Sequence, residues 1–228
     1  MRLKRLAVSG LLVAGLSAGG FPPQAAGGGR RPGDEQKLTV TPVKTVPPSL
    51  RGLLKGRFQQ GFRWDDLNGD NWLLLTQTGA FPSPGRKRRT NAPEEFRQAE
   101  LYACRFVNAS GVFSKAWQIA DFVRECPLDV TAEFIFPATE VTDLDGNGIA
   151  EAWVMYKTAC RGDVSPATLK IIMYEGNQKY ALRGSARIEL PDFAEGGDKS
   201  PDAALRANQA FFQHAERKWK RFCKETFP

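Results

Sequence analysis

Residues 141–151 read Val141-Thr142-Asp143-Leu144-Asp145-Gly146-Asn147-Gly148-Ile149-Ala150-Glu151. Side chains that carry oxygen alternate with other residues here, and the two glycines are typical of a tight turn. Ca²⁺ binds about six to eight oxygen atoms and accepts a backbone carbonyl among them. The stretch therefore predicts a calcium loop with the ligands Asp143, Asp145, Asn147, the carbonyl of Ile149, and Glu151. The alternative is a hairpin turn rich in Gly, Asn and Asp that binds no metal.

The segments on both sides of this loop, 139–142 and 152–157, have the composition of strands. An EF-hand differs, because helices flank its loop and its closing glutamate comes later in the sequence. The loop instead resembles the strand–loop–strand calcium loops of FG-GAP and integrin-type β-propeller repeats. This resemblance covers the loop alone and implies a structural calcium ion.

A second stretch follows the same pattern. Asp66-Leu67-Asn68-Gly69-Asp70 matches residues 143–147 in residue type at every position, and an apolar segment with a tryptophan follows each. The two stretches differ at position nine, where the first has Leu74 and the second has Glu151. The first stretch is therefore either a relic without metal or a weaker metal site.

Each of these stretches belongs to a series of strand candidates separated by turn residues. The first series is 56–64, 73–76, 99–107 and 115–123, and the second is 139–142, 152–157, 167–175 and 179–188. We predict a mainly β fold in which two antiparallel, four-stranded, blade-like meanders, at about 56–124 and 132–190, pack together.

One C-terminal amphipathic helix is predicted at about 201–224 to close this fold. Ser200-Pro201-Asp202 supplies an N-cap residue, a proline at the first helical position and an early acid. Apolar residues then recur at helical spacing, at Phe211, Ala215, Trp219 and Phe222. Residues 51–228 are thus predicted to form one β-rich domain. Residues 27–50 are rich in Gly and Pro and predict a flexible linker.

The N-terminus has the pattern of a secretory signal peptide, predicted at 1–26 with cleavage near 20–29. Arg2, Lys4 and Arg5 precede an apolar run and a series of small residues. We expect export to the periplasm or the extracellular space, with an uncleaved membrane anchor as the alternative. No later stretch has the roughly eighteen apolar residues that a membrane-spanning helix needs.

The net charge is only mildly positive. Subtracting the three basic residues of the predicted signal from the formal charge of +7 leaves +4. Basic runs at 86–89 and 217–224 either bind anionic polymers or form solvated surface. Because the protein is expected to be exported, nucleic acid is not an expected partner.

The four cysteines lie in the exported part of the chain and indicate two disulfides. We favour Cys126–Cys160, which borders the calcium loop, together with Cys104–Cys223, which would hold the C-terminal helix. The other two pairings remain open. A zinc site is the rival interpretation, but the chain has no CxxC spacing and a single histidine, His214.

Several stretches between about 46 and 222 are distinctive when taken together. They are Phe62-Arg63-Trp64-Asp65, Gly69-Asp70-Asn71, Ala120-Asp121-Phe122, Cys126-Pro127-Leu128-Asp129, Thr142-Asp143-Leu144-Asp145, Lys179-Tyr180-Ala181-Leu182-Arg183-Gly184 and, above all, Met155-Tyr156-Lys157-Thr158-Ala159-Cys160-Arg161-Gly162-Asp163-Val164-Ser165-Pro166. Together they resemble a family of small exported bacterial proteins that are labelled surface polysaccharide biosynthesis proteins. The resemblance implies a cell-envelope or glycan context and specifies no reaction.

The sequence contains no common catalytic motif, so we assign no catalytic residue and no cofactor besides Ca²⁺. A lone histidine on a helix flank is more typical of a surface or packing residue than of a general base. Arg161-Gly162-Asp163 matches the integrin-recognition tripeptide, but we predict a structural loop in which Asp163 caps a turn. Glycoside hydrolysis needs two facing carboxylates, and the candidates near the calcium loop are Asp121, Asp129, Glu133 and Glu140.

The sequence thus favours an exported, calcium-stabilised accessory or binding protein of the cell envelope or the extracellular space. Its expected partner is a surface glycan or an envelope protein. Two alternatives remain open, a small carbohydrate-active hydrolase or lyase with paired carboxylates and an adhesin-like module that binds protein.

Overall fold

Most of the residues that the structure describes lie in β-strands. The structure, a computed structural model, describes residues 38–83 and 96–227. The first half contains β1 (Val40–Pro42), α1 (Pro48–Arg51), β2 (Arg57–Asp66), β3 (Gly69–Gln77), β4 (Phe81–Pro82), β5 (Arg97–Ala109) and β6 (Val112–Cys126). The second half contains β7 (Asp129–Phe134), a 3-10 turn (Phe136–Ala138), β8 (Glu140–Thr142), β9 (Glu151–Arg161), β10 (Thr168–Glu175), β11 (Gln178–Ser185), β12 (Arg187–Leu190), β13 (Phe193–Gly196), β14 (Lys199–Pro201), α2 (Ala203–Ala207), α3 (Gln209–Phe222) and β15 (Lys224–Glu225).

Two antiparallel meanders form the body of the fold, as predicted. In the first sheet, β2, β3, β5 and β6 are successive neighbours, with β1 added beside β2 and β4 beside β5. In the second sheet, β9, β10 and β11 are successive neighbours, with β14 beside β11. Both β7 and β8 pair with β9, so the first strand of this meander is interrupted by the 3-10 turn. A small third sheet joins β13, β12 and β15.

The two large sheets pack face to face around one apolar core. The first sheet contributes Trp64, Leu73 and Leu101, and the second contributes Val154 and Tyr156. Side chains alternate along a strand, so each sheet also has an outer face. The outer faces of both sheets carry apolar residues. Both outer faces are covered, which explains why β3 and β9 are apolar at consecutive positions.

Helix α3 covers the outer face of the second sheet. Its Phe211 and Trp219 pack with Trp153, Met155 and Met173, and all five side chains are buried. The single helix expected at 201–224 is therefore correct in position but is divided into α2 and α3. Its start differs as well, because residues 199–201 pair with β11 as β14 and Asp202 is the N-cap of α2. Asn208 is extended and caps α3, which separates the two helices.

The outer face of the first sheet is covered by residues that the sequence assigned to a linker. Residues 40–42 pair with β2, and Leu50 of α1 is fully buried against Leu74 and Phe106. The flexible linker predicted at 27–50 is therefore structured from Val40 onward, because this apolar face needs a cover. The predicted signal peptide and residues 27–37 lie outside the described residues.

The structure confirms one of the two expected disulfides. Cys126 at the end of β6 is bonded to Cys160 in β9. The pairing Cys104–Cys223 is wrong, since both cysteines are free. Cys104 packs on the outer face of the first sheet and Cys223 lies at the end of α3, so the two large sheets lie between them. Within residues 38–83 and 96–227, no helix is long and apolar enough to cross a membrane.

Candidate metal site between β8 and β9

Loops from both large sheets meet at one end of the molecule. In a meander, alternate connections lie at the same end, which brings the β2–β3 turn, the β8–β9 loop and the β10–β11 turn together. The backbone N–H of Leu67 donates to the carbonyl of Gly148 (2.9 Å), and the N–H of Ala150 donates to Oδ2 of Asp66 (3.0 Å). The β8–β9 loop is thus docked against the first sheet.

Three predicted ligands converge in the β8–β9 loop. Carboxylate oxygens of Asp143, Asp145 and Glu151 all lie within 4.8 Å of one another. Asp143 and Asp145 reach this position because the loop turns at Gly146 and Gly148, which have φ values of 69° and 79°. The arrangement provides negatively charged oxygens, the ligand type that Ca²⁺ prefers.

Glu151 is the most constrained member of this acidic group. Its side chain is 0% exposed, accepts hydrogen bonds from Thr142 Oγ1 (2.6 Å) and the Leu144 N–H (3.0 Å), and has no ion pair with a cationic side chain of the described residues. Burial raises its pKa to about 7, and the negative charges of Asp145 and Asp143 add to this effect. A cation at this position would stabilise the charged form of Glu151.

Asp143 also has an oxygen without a protein partner. Its Oδ2 accepts the N–H of Gly148 (3.1 Å), whereas its Oδ1 is buried and receives no hydrogen bond from the part of the chain that the structure describes. A buried carboxylate oxygen without a donor is energetically unfavourable unless a ligand meets it. This oxygen fits a metal ligand better than it fits an ordinary turn residue.

Of the other two predicted ligands, Asn147 directs its amide nitrogen, and not its oxygen, toward the acids. Asn147 Oδ1 accepts the N–H of Ile149 (2.8 Å), and its Nδ2 donates to Asp145 Oδ2 (3.2 Å) and to Glu175 Oε1 (2.6 Å). The amide of Asn147 would have to rotate to offer its oxygen to a cation. The carbonyl of Ile149 accepts no hydrogen bond from the described residues, so it is available as a ligand.

Glu175, which the sequence did not identify as a candidate ligand, also belongs to this region. Glu175 is directly opposite Glu151 in the β9–β10 pairing, so the two side chains share one face of the sheet. Its Oε2 accepts the hydroxyl hydrogen of Tyr180 (3.2 Å). Its position as the last residue before the Gly176-Asn177 turn was a usable signal, because a hairpin turn fixes the strand register.

The matching stretch between β2 and β3 has a different structure. Asp66 Oδ1 accepts the Asn68 N–H (2.7 Å) and Asn71 Nδ2 (2.8 Å), and its Oδ2 accepts the indole N–H of Trp64 (2.9 Å) as well as the N–H of Ala150. Asp70 is paired with Arg63 (2.7 Å). Burial alone would raise the pKa of Asp70, but hydrogen bonds from Arg63 and Asn108 outweigh burial and lower it. Protein donors therefore satisfy the acids of this turn.

Of the carboxylates considered for glycoside hydrolysis, the two partly buried ones, Asp121 and Glu140, lie on different faces of the second sheet and pair with cationic side chains. Asp121 of β6 forms an ion pair with Lys170 of β10 (2.5 Å). Lys170 lies opposite Tyr156, so this ion pair is on the inner face of the second sheet. Glu140 instead lies opposite Trp153, whose face packs against α3. The remaining two candidates, Asp129 and Glu133, are exposed.

Glu140 takes part in the contact between β8 and α3. Its Oε1 lies 2.6 Å from His214 Nε2 and 2.6 Å from Lys218 Nζ. The hydrogen bond with His214 is the main reason that the pKa of Glu140 falls to about 2, with Lys218 adding to the effect and burial opposing it. His214 packs on Trp153, with ring centroids 4.7 Å apart. His214 is thus a packing residue, as expected.

The Arg161-Gly162-Asp163 tripeptide has internal partners. Arg161 forms an ion pair with Glu225 (2.6 Å), and the side chain of Arg161 is only 14% exposed. Asp163 Oδ1 accepts the N–H (3.0 Å) and the hydroxyl hydrogen (2.5 Å) of Ser165. The tripeptide is therefore a structural loop in which Asp163 caps a turn, as the sequence predicted.

A scan against protein-family models, a search of curated proteins and a search of solved structures each returned no match to this chain.

Proposed function

We propose that the protein is an exported, non-catalytic binding protein of the cell envelope or the extracellular space, stabilised by one Ca²⁺ in the β8–β9 loop. The fully buried Glu151 carboxylate carries this proposal. It lies beside Asp143 and Asp145, and no cationic side chain of the described residues forms an ion pair with these three acids. Three adjacent carboxylates without a counter-charge repel one another, and a divalent cation removes that repulsion.

Calcium suits this loop better than magnesium or zinc does. Asp143, Asp145 and Glu151 would hold the ion, and rotation of Asn147 together with the Ile149 carbonyl would complete the shell. Ca²⁺ tolerates irregular geometry and mixed oxygen ligands, whereas Mg²⁺ requires nearly octahedral geometry. Structural zinc sites use cysteine and histidine, and neither residue type lies in this loop.

The bound ion would act structurally. The N–H of Ala150 donates to the Asp66 carboxylate, and the carbonyl of Gly148 accepts the N–H of Leu67. These two hydrogen bonds connect the loop of the second sheet to the first sheet. A cation that holds the loop in this conformation would strengthen the contact between the sheets. The two sheets would then present a stable surface to a partner.

Export is supported by the disulfide and by the predicted signal sequence. The Cys126–Cys160 bond is typical of proteins that fold in an oxidising compartment. Extracellular and periplasmic calcium modules need only weak binding, because free Ca²⁺ outside cells is abundant. Calcium modules of this class bind with Kd values of about 10⁻⁴ to 10⁻³ M.

A binding role fits the carboxylates better than hydrolysis does. Glu151 has the raised pKa expected of a general acid, but its side chain is 0% exposed, so a substrate could not reach it. Asp121 of β6 pairs with Lys170 on the inner face of the second sheet, whereas Glu140 pairs with Lys218 on the outer face of that sheet. The adhesin alternative loses its main motif, because Arg161 is engaged with Glu225.

The thermal midpoint of the oxidised mature protein, measured in EDTA and in 1 mM CaCl₂, tests the calcium site. With a Kd of about 10⁻⁴ M, calcium adds about 1.4 kcal/mol to the free energy of unfolding, or a few degrees. Asp145→Ala is expected to abolish this shift. Asp65→Ala, which removes an exposed acid of the first turn, is the matched control and keeps the shift. A wild-type protein without any shift at 10 mM CaCl₂ would refute the site.

A further inference from the structure

An open groove lies between β11 and the junction of α2 with α3. Its volume is about 660 Å³. Sites for small ligands and cofactors have volumes of roughly 300 to 1,000 Å³. The groove is largely open to solvent, so it suits a segment of a polymer better than a small molecule that must be enclosed.

The groove is lined by uncharged side chains. Three amides, a tyrosine ring and small alanines form its walls, at Gln178, Tyr180, Ala204, Ala207, Asn208 and Gln209. An amide group carries both a donor and an acceptor, which is the combination that hydroxyl groups require. Gln178 Nε2 already donates to the carbonyl of Lys179 (3.1 Å), and it has a second N–H group. The tyrosine ring and the alanine methyl groups offer apolar contact to the C–H faces of a sugar ring.

We propose that this groove binds a neutral saccharide segment, with Gln178, Asn208 and Gln209 contacting hydroxyl groups and Tyr180 contacting a sugar ring. This inference specifies the ligand of the binding function proposed above and in that sense rests on it. The same amides would also contact other uncharged, hydroxyl-rich polymers, but the half-buried aromatic ring favours a saccharide.

The fold holds the groove residues in place before any ligand binds. Asn208 Oδ1 accepts the N–H of Phe211 (3.1 Å) as the N-cap of α3, while its Nδ2 makes no hydrogen bond within the described residues. The ring of Tyr180 packs edge-on against Phe211, with centroids 5.3 Å apart. Side chains that are already fixed lose less conformational entropy on binding, which favours affinity.

One acidic side chain, Glu175, contacts the groove residue Tyr180. The hydroxyl of Tyr180 donates to Glu175, which also accepts from Asn147. Burial is the main reason that the pKa of Tyr180 is raised to about 12, so its hydroxyl stays protonated at neutral pH. A ligand carboxylate placed at the Tyr180 hydroxyl would be repelled by Glu175.

An NMR titration tests the proposal directly. The ¹⁵N-labelled mature protein would be titrated in EDTA with four neutral tetrasaccharides, cellotetraose, maltotetraose, mannotetraose and chitotetraose, and with tetragalacturonate as the acidic counterpart. We expect at least one neutral tetrasaccharide to give saturable shifts of backbone amides in residues 178–180 and 204–210. Tetragalacturonate is expected to give none. Absence of saturable shifts with all four neutral ligands at 20 mM would overturn the proposal.

Variants separate groove binding from binding elsewhere. Gln209→Ala removes one amide and is expected to weaken binding about tenfold, the effect of one well-placed hydrogen bond. Ala207→Trp fills the groove and is expected to abolish binding. Gln213→Ala, an exposed glutamine on the same helix outside the groove, is the control and should bind as wild type does. Equal binding by Ala207→Trp and wild type would contradict the assigned location.

The two proposals can fail separately. The titration is run in EDTA and repeated in 1 mM CaCl₂, while the calcium-dependent thermal midpoint is recorded on the same samples. A calcium shift without saccharide binding would remove the groove assignment alone. Saccharide binding without a calcium shift would remove the calcium site and retain the groove.

Discussion

The β2–β3 turn and the β8–β9 loop have matching sequences but opposite electrostatics. In the first, protein donors reach both oxygens of Asp66, and Arg63 neutralises Asp70. In the second, Asp143, Asp145 and Glu151 lie together without an ion pair to the described residues, and Asp143 Oδ1 has no donor. An Asp-x-Asx-Gly-Asx pattern therefore indicates a tight turn, while the neighbouring donors decide whether that turn can hold a metal.

The difference between these two regions comes from residues outside the shared pattern. Trp64 and Asn71 supply the donors that satisfy Asp66. In the β8–β9 loop, no donor of the described residues reaches Asp143 Oδ1, and Glu151 adds a third carboxylate. The loops also contact each other, because Ala150 donates to Asp66. One loop is thus a rigid support, and the other is the part that a cation would complete.

Removal of the disulfide whose covalent loop contains the second region is expected to have the largest effect. Cys126 and Cys160 are 34 residues apart and enclose the β8–β9 loop. The double variant Cys126→Ser/Cys160→Ser is expected to lose about 3 to 4 kcal/mol of unfolding free energy, because the unfolded chain gains conformational entropy. Guanidinium titration measures this loss.

The free cysteine at the end of α3 provides the control for that experiment. Cys223→Ser removes a half-buried thiol without opening a covalent loop, so a change below about 1 kcal/mol is expected. Equal stability of the double variant and Cys223→Ser would contradict the structural role of the disulfide.

Asp66→Asn is expected to have the next largest effect. Each oxygen of Asp66 accepts two hydrogen bonds, one oxygen from Trp64 and Ala150 and the other from Asn68 and Asn71. The NH₂ group of asparagine would replace one of these oxygens, so two donors would lose their acceptor. Unpaired buried donors should cost about 2 to 3 kcal/mol, measured by guanidinium titration in EDTA. An unchanged stability would mean that the first turn does not depend on its carboxylate.

Much of the fold could be predicted from the sequence, because its signals are local. Turn residues separate the strands, and alternation marks their faces, so both meanders and the amphipathic α3 were predicted correctly. The cover formed by Val46 and Leu50 was missed, because a Gly- and Pro-rich segment looks the same whether it packs or not. The second disulfide was assigned wrongly, since no local signal reports that Cys104 and Cys223 lie on different outer faces.

The candidate site was only partly predictable, because some of its contacts join residues that are distant in the sequence. Alternating acids identified Asp143, Asp145 and Glu151, which the structure places together. The orientation of Asn147 depends on Glu175, a residue of another strand, and strand register is not visible in the loop sequence. Whether the first stretch could bind metal depended on Trp64 and Asn71, whose directions only the fold determines.

Glu140 gives a smaller test of the same contrast between satisfied and unsatisfied acids. Its folded-state pKa is lowered to about 2 from an ordinary value of 4.5, so its stabilising contribution is present above about pH 4.5 and is lost as the pH falls toward 2. The side chain is 41% exposed, so solvent screening limits this contribution to about 1 kcal/mol.

The matched variant for this test is Glu140→Gln. At pH 6 we expect it to be about 1 kcal/mol less stable than wild type by guanidinium titration, and at pH 3 the difference should shrink. A difference that does not change between pH 6 and pH 3 would show that the contacts of the Glu140 carboxylate with His214 and Lys218 contribute nothing to stability. Glu133→Gln, which alters an exposed acid, serves as the control.

Asp143→Asn is expected to have the smallest effect on the metal-free protein and the opposite sign to Asp66→Asn. Replacing the carboxylate removes repulsion from Asp145 and Glu151, while the amide oxygen can still accept the N–H of Gly148. The free energy of unfolding in EDTA should therefore stay equal or rise by up to about 1 kcal/mol. The thermal midpoint in EDTA measures this change. A loss as large as that of Asp66→Asn would mean that the two loops are held in the same way.

Calorimetric titration with CaCl₂ tests the central claim most directly, because it counts bound ions. We expect one Ca²⁺ per chain in wild type and in Asp66→Asn, and none in Asp143→Asn. All titrations are run at a temperature at which Asp66→Asn is still folded. Calcium binding that persists in Asp143→Asn and disappears in Asp66→Asn would place the metal in the other loop and contradict the account.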